Sequence, residues 1–405
     1  MKILHTSDWH IGKQLSKNDF TEDFKLFFDW LINLIKEKEI DVLLMSGDLF
    51  DLSNPPQQAL TMYYDFLKKM IQNNADCKII ITGGNHDSAT LLDAPKEILN
   101  MLDISVVGGL TENLEDLFIS VEKNNEKLVV AAVPFLKDKD IRKAAPGETY
   151  QEKTLQIKEG LANFFKDINQ VYQEKHKDLP FIIMAHLFAH GAETSDSERD
   201  IQIGNQAGVD ASVFGKNANY VALGHIHKPQ KAGAENIRYS GSPLPFSFSE
   251  RKDIKEVVIL ENDATTWNIK REKIPSFRKL IRFSGTMEEI KNQLNNYQSD
   301  SMLCDLGEVL IEEENHSNQL INETIELRGA IFNDKIKITN AKIEFKNKLK
   351  STASFLKIGD DISNYSHTKM FEKRLEQEAH FSQEAQKEML QTFNELLSEV
   401  LGNQN

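Results

Sequence analysis

The sequence predicts a layered α/β domain followed by a small α+β domain and a helical tail, and three observations predict it. Short apolar runs alternate with helix-like stretches through roughly the first 225 residues, as stacked strands and helices require. Proline interrupts that pattern at Ile274-Pro275-Ser276, after which a fresh series of strand and helix signals begins. Two amphipathic stripes with no strand signals around them close the chain.

The strand signals of the first domain are Lys2–Leu4, Val42–Met45, Lys78–Ile81, Leu128–Val133, Phe181–Met184 and Tyr220–Leu223, several of them rich in Ile and Val. Between the first two, Phe24, Phe27, Phe28, Leu31, Leu34 and Ile35 recur at helical spacing, which predicts a helix packed on a sheet. A second helix is predicted from about Pro56 to Ile71. After His227 come shorter strands, Ile237–Tyr239, Glu256–Leu260 and Trp267–Ile269, with a Gly241-Ser242-Pro243 turn among them. These close a domain over 1–274. A second domain, 275–350, reads strand Lys279–Phe283, helix Met287–Leu294, strand Glu308–Ile311, helix Asn318–Leu327 and one or two strands over Lys335–Phe345. Glu312-Glu313-Glu314 reads as a solvated loop. From 351 the chain is a polar linker and then helical, with Met370, Phe371 and Leu375 on one stripe and Met389, Leu390, Phe393, Leu396, Leu397, Val400 and Leu401 on another.

Composition bounds the function. At 405 residues the chain accommodates two or three domains at roughly 150 residues each. Cys77 and Cys304 stand far apart without a CxxC pair, which fits a reducing compartment and excludes a zinc-thiolate site. The sequence enters a strand at Lys2 without the charged and apolar regions of a signal peptide, and no apolar run approaches the ~20 residues of a membrane span, so a cytoplasmic protein is expected. A net charge of −14 argues against coating by nucleic acid through a basic surface. A DNA enzyme of this charge needs bound cations or a basic partner.

The informative pattern is where His, Asp and Asn fall. Asp8 and His10 follow the first strand, Asp48 the second, Asn85 and His86 the third, His186 the fifth, and His225 and His227 the sixth. Residues at the carboxyl ends of strands can converge in one crevice, and Gly47, Gly83, Gly84 and Gly224 let the backbone turn there. Imidazole, carboxylate and amide oxygen without thiolate suit manganese, iron or zinc in a hydrolytic centre, and so many histidines disfavour calcium. Two such ions bridged by one carboxylate would clamp the attacking and leaving oxygens of a phosphoryl group, with Asp48 the candidate bridge. Singly, Asp8-Trp9-His10 reads as a surface turn and Gly84-Asn85-His86-Asp87 as an Asx turn. Together, each after a strand, they predict a two-metal phosphodiester hydrolase. His5 in a strand, His316 in an acidic loop, and His367 and His380 in the terminal helices are not expected to be ligands.

On these residues the chain resembles the calcineurin-like metallophosphoesterases, and within them the SbcD-type nuclease subunits of bacterial complexes. The resemblance rests further on Gly47-Asp48-Leu49-Phe50-Asp51 with Pro55-Pro56, on His186-Leu187-Phe188 leading to Gly191 and Arg199-Asp200-Ile201-Gln202-Ile203-Gly204, on Ala222 to Pro229, and on Gly241-Ser242-Pro243-Leu244-Pro245-Phe246-Ser247-Phe248. It implies a calcineurin-like layered sandwich with a small α+β capping domain and C-terminal helices. It implies one metal held by Asp8, His10, Asp48 and His227, a second held by Asp48, Asn85, His186 and His225, and a catalytic His86 that stabilises the transition state or protonates the leaving group. The competing reading of His86 is a residue orienting Asp8 or Asn85. Related archaeal and eukaryotic nucleases carry a histidine where Asp51 stands, so the resemblance assigns Asp51 no role.

By the same resemblance the metals are manganese, and the substrate is DNA, cut by exonuclease and hairpin endonuclease action. A homodimer sits in a heterotetramer with an SbcC-type coiled-coil ATPase that gates cleavage. Phe371, Leu375, Leu390, Phe393 and Leu397 would dock that ATPase; otherwise the two helices fold back on their own domain. A small-molecule phosphoesterase and a non-cutting scaffold are the alternative functions.

Overall fold

The computed structural model describes residues 1–142, 147–198, 208–262, 267–346, 366–375 and 382–402. The Arg199 to Gly204 motif, His380 and most of the expected linker lie outside the described residues, as do the side chains of Val400 and Leu401. The chain divides into two compact units, Met1–Ile311 with Glu323–Lys342, and Glu312–Asn322 with Ile343–Asn405.

In the first unit, the apolar runs become two six-stranded sheets. The first is ordered Trp267–Lys273, Glu256–Asn262, Lys2–Thr6, Val42–Ser46, Lys78–Thr82 and Ile104–Val107. Its last four strands are parallel, and Glu256–Asn262 runs antiparallel to Lys2–Thr6. The second is ordered Gln230–Ala232, Ala234–Tyr239, Tyr220–Gly224, Phe181–His186, Glu126–Ala132 and Phe118–Lys123. Tyr220–Gly224 lies parallel to both of its neighbours.

Alternate residues of each strand face opposite ways, and this explains why the runs are apolar throughout. Ile3, Val42, Leu44, Ile80, Val258 and Leu260 share one core with the second sheet. Leu4, Leu43, Met45, Ile79, Ile81, Val257 and Ile259 turn instead to Phe24, Phe27, Leu31 and Phe66, on the helices Thr21–Lys38 and Gln57–Asn73. The helix Tyr150–Lys175 covers the second sheet with Ile157, Leu161, Phe165 and Ile168, and begins on a Thr149–Glu152 capping box. The layers therefore run helix, sheet, sheet, helix, the α/β sandwich that the strand and helix spacing anticipates. His5 falls between the sheets, its Nδ1 3.0 Å from the Tyr220 hydroxyl, and burial pushes it down to about 3. It is a core residue, as expected.

Beyond Pro275 the chain forms a four-stranded sheet ordered Leu280–Gly285, Asp305–Glu313, Ile336–Phe345 and Ile331–Phe332. Met287, Ile290 and Leu294 are buried on the helix Met287–Asn295. Glu312 and Glu313 end a strand where the sequence predicts a loop, and only Glu314 of that acidic run lies beyond it. In the second unit, helices His367–Leu375 and Gln383–Gly402 meet through Phe371 stacked on Phe393, ring centroids 4.2 Å apart and 7° from parallel. Among the described residues, no helix is long and apolar enough to cross a membrane.

Candidate metal centre

Strands of both sheets end at one edge of the sandwich. The carboxyl ends of Lys2–Thr6, Val42–Ser46 and Lys78–Thr82 come from one sheet, and those of Phe181–His186 and Tyr220–Gly224 from the other. The crevice therefore lies between two packed sheets rather than along one open sheet.

Backbone geometry at this edge is unusual. Asp8, His10, Asp48 and His225 all hold φ between 49° and 103°, a region L-residues seldom occupy. Backbone bonds from Asp8 N–H to the Gly47 carbonyl (3.0 Å) and from His10 N–H to the Asp48 carbonyl (3.0 Å) hold two of these turns together. Gly224 is required by close approach, since a Cβ there would lie 1.8 Å from the Ser46 carbonyl oxygen and 2.8 Å from His186 Nδ1. Gly47 combines a φ of 83° with contact to the same imidazole.

The side chains form three overlapping groups. Asp8, His10 and His227 bring donor atoms within 4.8 Å of one another, as do Asp8, Asp48 and His186. Asp48 Oδ2 lies 3.5 Å from His10 Nε2 and 3.4 Å from His186 Nε2. Asn85 Oδ1 is 2.9 Å from His186 Nε2. His225 lies against His186, centroids 5.5 Å apart, and its Nε2 is buried with no hydrogen-bond partner among the described residues. His10 and His227 face each other Nε2 to Nε2 at 3.0 Å. All seven residues named as ligands thus meet in one place.

The electrostatics fit a cation. Burial raises Asp8 to about 7, with Asp48 adding to the rise and the histidines opposing it. Burial disfavours the charged form of His10 and lowers it to about 3. Burial likewise opposes charge on His186, but Asp48 and Asp8 outweigh it and lift that ring to about 9. Two buried carboxylates among imidazoles whose nitrogens point at one another form a donor set that divalent ions complete, and the cluster fits divalent metal binding.

His86 falls in the third group, with His10 and Asp48. Its backbone N–H donates to Asp48 Oδ1 (2.8 Å), its Nδ1 is 2.7 Å from the Asp51 carbonyl oxygen, and its ring meets that of His10 edge-on at 4.6 Å. Asp51 links several groups: its carboxylate is 3.4 Å from His10 Nδ1 and accepts from Lys13 Nζ at 2.9 Å. Asp87 pins the loop, accepting backbone N–H bonds from Leu49, Phe50 and Gly84 at 2.9–3.0 Å. The sequence does not single out Ser197, Glu198, Glu250 and Lys255, which surround His227. Each is a polar residue outside the main strands and helices, and no local pattern marks it.

This sandwich and its histidine–carboxylate cluster define a metallophosphoesterase, and the calcineurin-like phosphoesterase family model matches residues 1–229. The SbcD component of the SbcCD nuclease of Escherichia coli K12 is 30% identical over 308 residues, spanning 74% of this chain and 75% of that protein. Its Bacillus subtilis 168 counterpart is 30% identical over 76% of this chain and 78% of its own, and that of Rhodobacter capsulatus 34% identical over 62% and 64%. The chain belongs to the calcineurin-like phosphoesterases and, within them, to the SbcD family, and is a phosphodiester hydrolase.

Proposed function

We propose that the chain is a two-metal DNA nuclease acting as the cutting subunit of an SbcCD-type complex in DNA end processing, repair and recombination. The observation that carries the two-metal reading is Asp48, whose Oδ2 lies 3.5 Å from His10 Nε2 and 3.4 Å from His186 Nε2, and so adjoins one proposed ligand of each ion. On this reading Asp8, His10, Asp48 and His227 hold one ion, and Asp48, Asn85, His186 and His225 the other. The ions are manganese, which suits a donor set made only of nitrogen and oxygen. Ions held by these residues would supply Lewis acidity toward a phosphoryl group and lower the pKa of water.

The chain's own residues do the rest. Asp8 and Asp48 set the charge of the site, and the left-handed turns carrying them fix where those carboxylates stand. His86 is the catalytic imidazole: with Nδ1 directed to the Asp51 carbonyl, Nε2 is the nitrogen that exchanges a proton with the departing oxygen or stabilises its charge. Residues 1–274 form the nuclease domain, 275–350 the capping domain and 351–405 the linker and docking helices. Phe371, Leu375, Leu390, Phe393 and Leu397 dock an SbcC-type coiled-coil ATPase in a cytoplasmic heterotetramer. Exposed Ile98, Met101 and Leu102 support a homodimer at its centre. The net charge of −14 accords with a subunit that cuts well only when that partner holds the DNA and ATP gates the cut.

The test is cleavage of blunt, hairpin and protein-blocked duplex ends by the purified chain with manganese, with and without the ATPase and ATP. Exonuclease and hairpin cutting stimulated by the partner supports the reading. Rapid turnover of a phosphomonoester with inert DNA assigns a small-molecule phosphoesterase instead.

A further inference from the structure

His227 is held from three sides by residues the reaction does not use. Its backbone N–H donates to the Glu198 carboxylate at 2.8 Å, its carbonyl accepts from Lys255 Nζ at 3.0 Å, and its Nδ1 lies 2.6 Å from Ser197 Oγ. Ser197 Oγ in turn donates to Glu250 Oε1. Glu250 is fully buried, and Lys255 Nζ pairs with its other oxygen at 2.5 Å.

Hydrogen-bond bookkeeping fixes the direction of this chain. A carboxylate paired with a buried ammonium accepts and does not donate. The Ser197 proton therefore points to Glu250 Oε1, which also lies 3.5 Å from His227 Nδ1 directly, and the serine oxygen is left to accept from His227 Nδ1–H at 2.6 Å. A neutral imidazole carrying its proton on Nδ1 presents a lone pair at Nε2. That is the nitrogen that faces His10 Nε2 at 3.0 Å in the cluster.

The opposite cluster is built differently. His186 Nδ1 is 3.1 Å from the Ser46 carbonyl oxygen, a neutral main-chain acceptor that no side-chain substitution removes. We propose that Glu250, acting through the Ser197 hydroxyl, is a positioning residue that fixes the His227 tautomer and so tightens one of the two ion sites selectively. The proposal rests on the two-metal reading. Carboxylates behind metal-binding histidines are a general device, and their loss typically costs about 10–100-fold in metal affinity. The relay here joins three segments distant in sequence: the histidine loop, residues 193–198, and residues 247–255.

Ser197→Ala and Ser197→Thr in the full chain test it, because Ser197 is only partly buried and its replacement leaves the Glu250–Lys255 pair intact. Two readouts apply: imidazole 15N shifts of the metal-free protein, with His227 identified by difference against His227→Gln, and manganese titration followed by electron paramagnetic resonance. In wild type, His227 is expected as the Nδ1–H tautomer, and two manganese ions bind. Ser197→Ala should give mixed tautomers and weaken one ion about 10–100-fold while the other is unchanged, and Ser197→Thr should restore both. Unaltered His227 shifts in Ser197→Ala, equal weakening of both ions, or failure of threonine to restore the tautomer overturns the proposal. Failure of wild type to bind a second ion overturns the two-metal reading instead, while the shifts still decide the relay.

Discussion

The main-chain carbonyl of Asp51 accepts from His86 Nδ1 at 2.7 Å, while the carboxylate of the same residue lies 3.4 Å from His10 Nδ1. One residue thus serves the proposed catalytic imidazole through its backbone and a proposed ligand through its side chain. Lys13 anchors that carboxylate at 2.9 Å. Asp51→Ala should therefore separate the two roles. The His86 contact survives, and manganese affinity falls about tenfold or more, as for other residues behind metal-binding histidines. Calorimetric titration and cleavage at saturating manganese check this: cleavage should recover most of its rate once the ion is supplied in excess.

His86→Gln makes the complementary prediction. Its backbone N–H still donates to Asp48, since that bond does not involve the side chain. Metal stoichiometry should stay at the wild-type value, while cleavage falls about 10²–10⁴-fold with the loss of a positioned acid. Parallel loss of metal would instead make His86 a residue that orients ligands.

The ligands are legible in the sequence because each follows an apolar run, and glycines 47, 83, 84 and 224 mark the turns that admit them. What is not legible depends on pairing across the chain. The strands Ile104–Val107 and Phe118–Lys123 are absent from the sequence reading; Ile104-Ser105-Val106-Val107 is too short to announce itself, and Phe118–Lys123 is mostly half-buried at the edge of its sheet. Nor does a series of strands say which sheet each joins, so the face-to-face packing that places His186 opposite Asp48 emerges only in the fold. Glu250 and Ser197 meet His227 across 23 and 30 residues, a spacing that carries no periodicity. The coupling of Asp51 to His10 likewise spans 41 residues, although Asp51 itself stands only three positions past the candidate bridge.

Gly224→Ala should be far more damaging than its volume implies. The added methyl would sit 1.8 Å from the Ser46 carbonyl oxygen and press on His186. Overpacking commonly costs about 1–3 kcal/mol, and a clash with main chain that cannot move belongs at or above the top of that range. Thermal denaturation should show the loss, and any folded fraction should bind manganese poorly.

Arg278 forks onto the Asp23 carboxylate, Nε to Oδ1 at 2.7 Å and Nη2 to Oδ2 at 2.6 Å, and Asp23 is nearly inaccessible. Removing the guanidinium in Arg278→Ala strands a buried charge, at a cost of about 3–5 kcal/mol. Burial already pushes Asp23 up to about 6 against the pull of Arg278, so in the variant that push is unopposed. A carboxyl whose folded value lies above its unfolded value of about 3.9 binds more protons when folded, and stability then rises as pH falls through the folded value. The deficit of Arg278→Ala relative to wild type should accordingly be larger at pH 8 than at pH 5, as read from urea midpoints. A deficit that grows on acidification would contradict this.

The tail offers a prediction that separates cutting from assembly. Phe371 and Phe393 stack at 4.2 Å and join the two terminal helices, and Met389 and Leu396 are exposed nearby. Truncating one ring removes the aromatic contact between the helices without touching any group of the metal centre, which belongs to the other compact unit. If this pair presents the ATPase-docking surface, Phe371→Ala with Phe393→Ala should weaken partner binding by at least about tenfold, the loss of roughly 1.4 kcal/mol that one buried aromatic contact readily exceeds. Manganese content and hydrolysis of short single-stranded oligonucleotides by the isolated chain should be unchanged. ATP-dependent cutting of protein-blocked ends should fall with the binding. Wild-type partner affinity in the double variant would mean that the stacked rings serve only to pack the helices on each other.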